Sequence, residues 1–399
     1  MRTRRAGVAL LVGGALLFSA ACSEDKKGDA SADGNTAASA PAGDASEAPK
    51  GSTAQLSVTP ADGAVDVSPS DGLKISVASG KLTNVEVTDK NGKAVPGEIA
   101  ADGLTWKPSS PLTVGMVYTV NAQAKDDKGL VAASTSSFTT LTPAKTVATN
   151  DNIADNGTYG VGMIVSVAFS KPVKNKDAVL KGISFETNNG TTVKGHWFGD
   201  RRLDFRPEEY WKPGTKVTIK YRLKTVEVSP GVYGDVDKDE PFTIGRYQVS
   251  VADASTFKMT VTKGDGSSQV IPITTGDAKN PSWNGTMVVS SKEKVTRMNS
   301  QTVGLGAEYD IDDVPHAMRL TNSGTFVHGN YWANPFGKYN ASHGCISMQD
   351  TKGGDDASVA GKFFASSMIG DVIKVQNSKS ETVSPDNGLS GWTLPWSKW

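Results

Sequence analysis

Two five-residue stretches a fixed distance apart constrain the fold most. Leu104-Thr105-Trp106-Lys107-Pro108 returns as Leu203-Asp204-Phe205-Arg206-Pro207, 203 − 104 = 99 residues later, and Gly115 returns as Gly214 at the same offset. Such a period marks one supersecondary unit used twice. Around the first copy, Leu73-Lys74-Ile75-Ser76-Val77 alternates apolar and polar residues, and Val85-Glu86-Val87 runs into the turn-forming Asp89-Lys90-Asn91-Gly92. Alternation of period two is the mark of a half-buried strand, and short strands parted by turn signals predict a β-sandwich.

About a hundred residues is the size of an immunoglobulin-like sandwich. The repeat therefore predicts two of them, over residues 54–142 and 143–245. The acidic run Asp235-Val236-Asp237-Lys238-Asp239-Glu240 closes the second copy. Alternate carboxylates can ligate calcium, but the run lacks the rest of a calcium loop and reads as a solvated linker. A third region, 246–378, holds further strands: 247–251, 257–261, 287–289 and 372–375. Lys263-Gly264-Asp265-Gly266 supplies a hairpin turn, and a helix is expected over about 355–365. Residues 379–399 end in a tail with three of the eight tryptophans in nine residues, a density that predicts packing onto the body. The fold class is mainly β.

The N-terminus reads as a targeting segment. Arg2, Arg4 and Arg5 precede an uncharged apolar stretch from Ala6 to Ala21. Residues 1–21 are therefore expected to be a signal peptide. Cys22 directly after the small residues Ser19, Ala20 and Ala21 points to a lipoprotein signal with lipid on that thiol. Leu is usual three residues before such a Cys, and Ser19 stands there. Residues 22–53 carry almost no large apolar side chain and read as a flexible tether. The expected location is extracytoplasmic, anchored to the membrane through lipid and facing the wall. Lys+Arg and Asp+Glu are both 42, so no net field draws this chain to nucleic acid. The sequence carries no signal on oligomeric state.

With Cys22 lipidated, Cys345 has no disulfide partner, and an odd thiol in an exported chain is a candidate reactive group. An inert buried Cys is the competing reading. Three of the four histidines, His316, His328 and His343, fall near it, while His196 reads as structural. A thiol needs a base or a cation nearby to act as a nucleophile, and His suits that work. Phe326-Val327 is strand-favouring, so His328 is expected to end a strand, with a loop from Gly329 onward. Cys345 follows 17 residues later, at a corner that Gly344 allows the backbone to turn. The amides of Gly344 and Cys345 are candidate donors to an oxyanion. The chain has no C-x-x-C or H-E-x-x-H, so no metal site is expected.

Phe326-Val327-His328-Gly329 followed by Ser342-His343-Gly344-Cys345 resembles the active-site signature of the L,D-transpeptidases, with their YkuD-like catalytic domain. Asn284 to Val289, the Ser323-Gly324 pair and the Trp-rich tail are similar to lipoprotein members of mycobacterial type, which carry two immunoglobulin-like domains ahead of the catalytic one. The resemblance implies a peptidoglycan stem peptide as substrate and Cys345 as nucleophile. His328 would be its base, His343 would support the loop, Gly344 would complete the catalytic set, and no cofactor is implied. It also implies substrate contacts at Tyr309, Ser323, Gly324, Gly329 and Ser347, and acylation by carbapenems. Gly329 stands where several relatives have Ser, and Ser347 where many have Arg or Asn.

Three readings remain open at this point. One is transfer to an amine, giving 3→3 cross-links. Another is L,D-carboxypeptidase action with water as acceptor. The third is a silent wall-binding lipoprotein, against which the intact motif counts. A sortase-like enzyme would want an Arg after the Cys, and none stands between Cys345 and Trp399.

Overall fold

The computed structural model describes residues 51–303 and 306–399. The expected signal, Cys22 and nearly all of the tether lie outside the described residues. No helix among the described residues is long and apolar enough to cross a membrane.

The repeat is two β-sandwiches. In the first, a sheet ordered Gln55–Thr59, Lys74–Ala78, Thr105–Pro108, Gly97–Ile99 faces one ordered Ala64–Val67, Val131–Thr140, Val117–Lys125, Lys81–Asp89. Val117–Lys125 shows why: Tyr118, Val120, Ala122 and Ala124 alternate inward, with polar residues between them. They meet Trp106 and Phe138 in one apolar core. The second sandwich pairs a sheet ordered Thr149–Asp151, Val165–Phe169, Arg202–Arg206, Lys194–Phe198 with one ordered Gly157–Tyr159, Asp237–Ile244, Lys216–Arg222, Ile183–Thr187. Trp106 and Phe205, the aromatic residues of the two repeats, are both buried on corresponding strands.

The acidic run corrects the sequence reading. It is no linker: Asp237–Ile244 is a strand paired antiparallel along Lys216–Arg222. Phe242 and Ile244 carry it into the core. Its charges are matched by neighbours, Lys238 pairing with Asp151 and Glu240, and Asp239 with Arg222.

The third region stacks two sheets. One is ordered Ser268–Pro272, Lys258–Lys263, Gln248–Asp253, Val372–Gln376, Gly285–Val288. The other is ordered Ser291–Asn299, Asp310–Arg319, Phe326–Asn330, Ile346–Gln349. Ile273, Met287, Val327, Ile346, Met348 and Ile373 fill the space between them, and Phe363 of the helix Val359–Ser366 joins that core. The helix starts a turn later than expected because Ser358 caps it, its Oγ accepting from Gly361 N.

The tail packs on the second sandwich. Trp392 Nε1 donates to Gly162 O at 2.7 Å, and Trp399 Nε1 donates to Lys194 O at 2.8 Å. The Arg206 guanidinium lies 4.6, 5.4 and 4.4 Å from the ring centres of Trp392, Trp396 and Trp399. Burial among these rings pulls the Arg206 pKa down to about 10. His196, read as structural, stacks on Trp399 at 5.2 Å.

Candidate active site

Strand pairing brings the two chemical residues together. Phe326–Asn330 and Ile346–Gln349 run parallel, with Val327 opposite Ile346 and His328 opposite Ser347. Cys345 immediately precedes the second strand. His328 does not end its strand, as expected from the sequence, but sits at its centre, because Gly329 and Asn330 stay in the ladder. His328 and Cys345 line one cavity of about 360 Å³, with Met298, Ile311 and Val314 as apolar wall and Ser347 on its lining.

The tautomer of His328 follows from one hydrogen bond. Nδ1 lies 2.7 Å from Gly329 O, and a carbonyl can only accept, so Nδ1 carries the proton. Nε2 is left with its lone pair. Trp332 stacks on the ring at 5.8 Å with planes 17° apart. The loop bearing Trp332 is fastened by Asn330 Oδ1, which accepts from Trp332 N and Ala333 N. Burial holds His328 down at about 4, against the pull of the Gly329 carbonyl.

Cys345 is gripped by its own motif. Ser342 Oγ donates to Cys345 O at 2.5 Å, and Ser282 Oγ donates to Gly344 O at 2.7 Å. Gly344 has φ +108°, which a residue with a side chain rarely adopts. Its amide, one of the two expected oxyanion donors, points instead at Ser342 Oγ at 3.3 Å. The thiol donates to Gly324 O at 3.7 Å. Burial pushes the thiol up to about 11, opposed by the Phe326 amide and Arg319. Thiol and imidazole are thus both neutral at physiological pH. A thiol and an imidazole that are both neutral differ from a preformed thiolate–imidazolium pair: such a thiol must give up its proton to a base as it attacks.

Tyr309 and His343 form a wall shared by two cavities. Their rings are 5.1 Å apart, and Glu308 pairs with His343 Nε2 at 3.3 Å. Burial and the neighbouring Cys345 raise the Tyr309 hydroxyl to about 12. The second cavity, about 290 Å³, is lined by Ser323, Gly324, Trp283 and Gly344 as well as that wall. Ser347 and His328 therefore lie on one side of that wall, and Ser323, Gly324 and Gly344 on the other.

Gly329 lines neither cavity, contrary to its expected contact with substrate. A Cβ there would stand 2.1 Å from Asp350 Oδ2. Asp350 is buried and accepts from His316 Nδ1 (2.7 Å), Thr351 N and Asp355 N. His316, whose Nε2 reaches Asp356 at 3.1 Å, is a buttress away from the thiol. The sequence reading missed Asn330, Trp332, Glu308 and Asp350. Only Trp332, beside the His328 strand, carried a local hint. Among the described residues no group of three or more His, Cys, Asp and Glu is placed to hold a metal.

Residues 64–227 match the family model described as a bacterial Ig domain, and residues 247–353 match that of the L,D-transpeptidase catalytic domain. Ig-like modules followed by a thiol-bearing YkuD domain define an Ig-bearing acyltransferase of that type. The chain is 30% identical over 354 residues to L,D-transpeptidase 2 of Mycobacterium tuberculosis (strain CDC 1551 / Oshkosh), covering 86% of this chain and 84% of that protein. It is 28% identical over 353 residues to L,D-transpeptidase 5 of Mycobacterium tuberculosis (strain ATCC 25618 / H37Rv), covering 86% and 76%. A solved structure of the L,D-transpeptidase LdtMt1 in complex with imipenem overlays with TM-score 0.49 at 29% identity, over 59% of this chain and 100% of that one. This chain belongs to the L,D-transpeptidase family and is an enzyme of that family.

Proposed function

We propose that this enzyme cross-links peptidoglycan stems through a thioester on Cys345. The observation that carries the proposal is geometric: the Cys345 thiol lines one cavity with the His328 imidazole, whose Nδ1 is taken up by Gly329 O and whose Nε2 is left with its lone pair. Cys345 Sγ attacks the carbonyl joining the third and fourth residues of a tetrapeptide stem, and His328 Nε2 takes the thiol proton. That proton passes to the departing amine, D-Ala leaves, and the thioester remains. The amine of a neighbouring stem's diamino acid then attacks and gives its proton to His328. The C–S bond breaks, a 3→3 cross-link forms, and the proton returns to the thiol.

His343 and Tyr309, braced by Glu308, part the two cavities, which suits one donor and one acceptor strand of substrate. Ser347 Oγ is buried without a protein partner and lies on the lining of the first cavity, so it is a donor-stem contact in this reading. Ser323, Gly324 and Gly344 contact the other strand. The export signal and Cys22 support a reaction outside the membrane, with the chain held by lipid. Labelled fatty acid that fails to enter the chain, or enters a Cys22→Ser variant equally, would remove the anchor from this proposal.

The test mixes the full chain with tetrapeptide muropeptides and reads products by mass spectrometry. Loss of D-Ala together with dimers is expected. Loss of D-Ala without dimers would make the enzyme a carboxypeptidase. Turnover that survives Cys345→Ala would overturn the thioester route, and a carbapenem adduct on Cys345 is expected.

A further inference from the structure

The turn that meets the thiol is held from outside its own sheet. Residues 320–325 join the strands Asp310–Arg319 and Phe326–Asn330, and Gly324 presents its carbonyl to Cys345 Sγ. Within the turn, Thr325 N donates to Thr321 Oγ1, whose hydroxyl lies 3.2 Å from Ser323 Oγ. The remaining hydrogen bonds of Ser323 go to one residue of the C-terminal tail. Ser323 N donates to Asn387 Oδ1 at 3.1 Å, and Asn387 Nδ2 donates to Ser323 Oγ at 2.8 Å. One amide side chain therefore clamps both the backbone and the side chain of the residue before Gly324.

The tail is seated tightly on this turn. Gly388 has φ +72°, and a Cβ there would stand 2.4 Å from Leu320 O and 2.9 Å from Thr321 Cα. Asn387 lies between two carbonyls gripped by the second sandwich. Arg202 donates from Nη1 to Asp386 O at 2.7 Å and from Nη2 to Gly388 O at 2.5 Å. The same guanidinium makes a two-point pair with the fully buried Asp204, at 2.8 and 2.6 Å. Such a fork has fixed geometry, so the carbonyls it holds are fixed too.

We infer that Asn387 is a positioning residue for the Cys345 thiol, acting through Ser323 and Gly324, and that Arg202 of the second sandwich holds Asn387 in register. The inference rests on Cys345 being the nucleophile. The Gly324 carbonyl accepts from sulfur only while the thiol keeps its proton, so this contact favours the protonated form. Loosening the turn frees the thiolate and at the same time misplaces the sulfur for attack.

The full chain is compared with Asn387→Ala and Asn387→Asp. Alkylation of Cys345 by iodoacetamide is followed across pH by mass spectrometry of its peptide, beside muropeptide turnover and thermal unfolding. In Asn387→Asp, Ser323 N–H and O–H both donate to the carboxylate, and the clamp persists. Asn387→Ala is expected to alkylate about threefold faster at fixed pH below the midpoint. Its kcat should fall about tenfold at unchanged KM. Asn387→Asp should keep both near the parent values. The inference is overturned if Asn387→Ala leaves both within twofold, or if Asn387→Asp loses as much as Asn387→Ala. Arg202→Lys keeps a cation on Asp204 but cannot span two carbonyls, and should reproduce the faster alkylation. An unchanged rate removes Arg202 from the inference. Should Cys345→Ala keep turning over, the proposed function fails, while alkylation still reports whether the turn governs the thiol.

Discussion

The two sandwiches are copies in sequence and different objects in the molecule. The core of the first is built wholly from residues 54–138. The core of the second takes in Val288, Leu389 and Trp399 from far down the chain. At corresponding positions of the repeat the first has Thr105 and Lys107, both exposed, whereas the second has Asp204 and Arg206, both buried. Asp204 orients Arg202 toward residues 386–388, and Arg206 seats three tryptophans. Backbone contact completes the joint: Gly160 N and Gly162 N donate to Ile369 O and Gly370 O at 2.8 Å, leaving no room for a Cβ on Gly160 or Gly370. The duplicated fold thus became a foundation for the catalytic sheets in one copy, while the other kept a self-contained core.

Three measurements test that contrast. The largest effect is expected from the core aromatics. Trp106→Ala and Phe205→Ala should each cost about 4 kcal/mol in denaturant unfolding. Only Phe205→Ala should also lower turnover, and equal loss of activity in both would break the contrast.

Acid separates the regions next. The first sandwich contains no His, whereas the catalytic sheets bury His328 neutral at about 4, against 6.5 for a free imidazole. The unfolded chain binds that proton first, so stability is present above pH 6.5 and is lost as pH falls toward 4. The loss approaches about 3 kcal/mol, since each tenfold difference in proton affinity between the folded and unfolded chain is worth about 1.4 kcal/mol. The lowered carboxyls of the first sandwich, Asp62, Asp89 and Asp126, titrate below that window. Hydrogen exchange at pH 4.5 and 7 should show catalytic strands loosening and the first sandwich unchanged.

Arg206→Ala should cost about 2 kcal/mol and release the tail, read as a rise in Trp fluorescence quenching. Lys107→Ala, the same position in the first copy, should stay within about 0.5 kcal/mol.

Much of this was legible because it is local. Period-two alternation reveals strands, and the 99-residue offset reveals two of the same unit. The Ser342 to Cys345 motif with its upstream His328 points to the nucleophile. What was hidden depends on distant pairing. The run 235–240 looked like a linker because charge dominates its composition, yet the alternation of Glu240, Phe242 and Ile244 places it in a sheet. His328 looked like a strand end because glycine follows it. The glycine is there because Asp350, 21 residues on, occupies the space a side chain would need. Nothing near Asn387 announces its hold on Ser323, 64 residues earlier.

The raised pKa of Cys345 also bears on how this thiol meets an oxidant. Oxidants such as peroxide attack sulfur chiefly as the anion. A thiol held at about 11 is anionic in roughly one molecule in ten thousand at pH 7. Burial thus keeps Cys345, the one cysteine among the described residues, in a chemically quiet form. The resting protein should therefore outlast exposures that would sulfenylate an open, low-pKa cysteine.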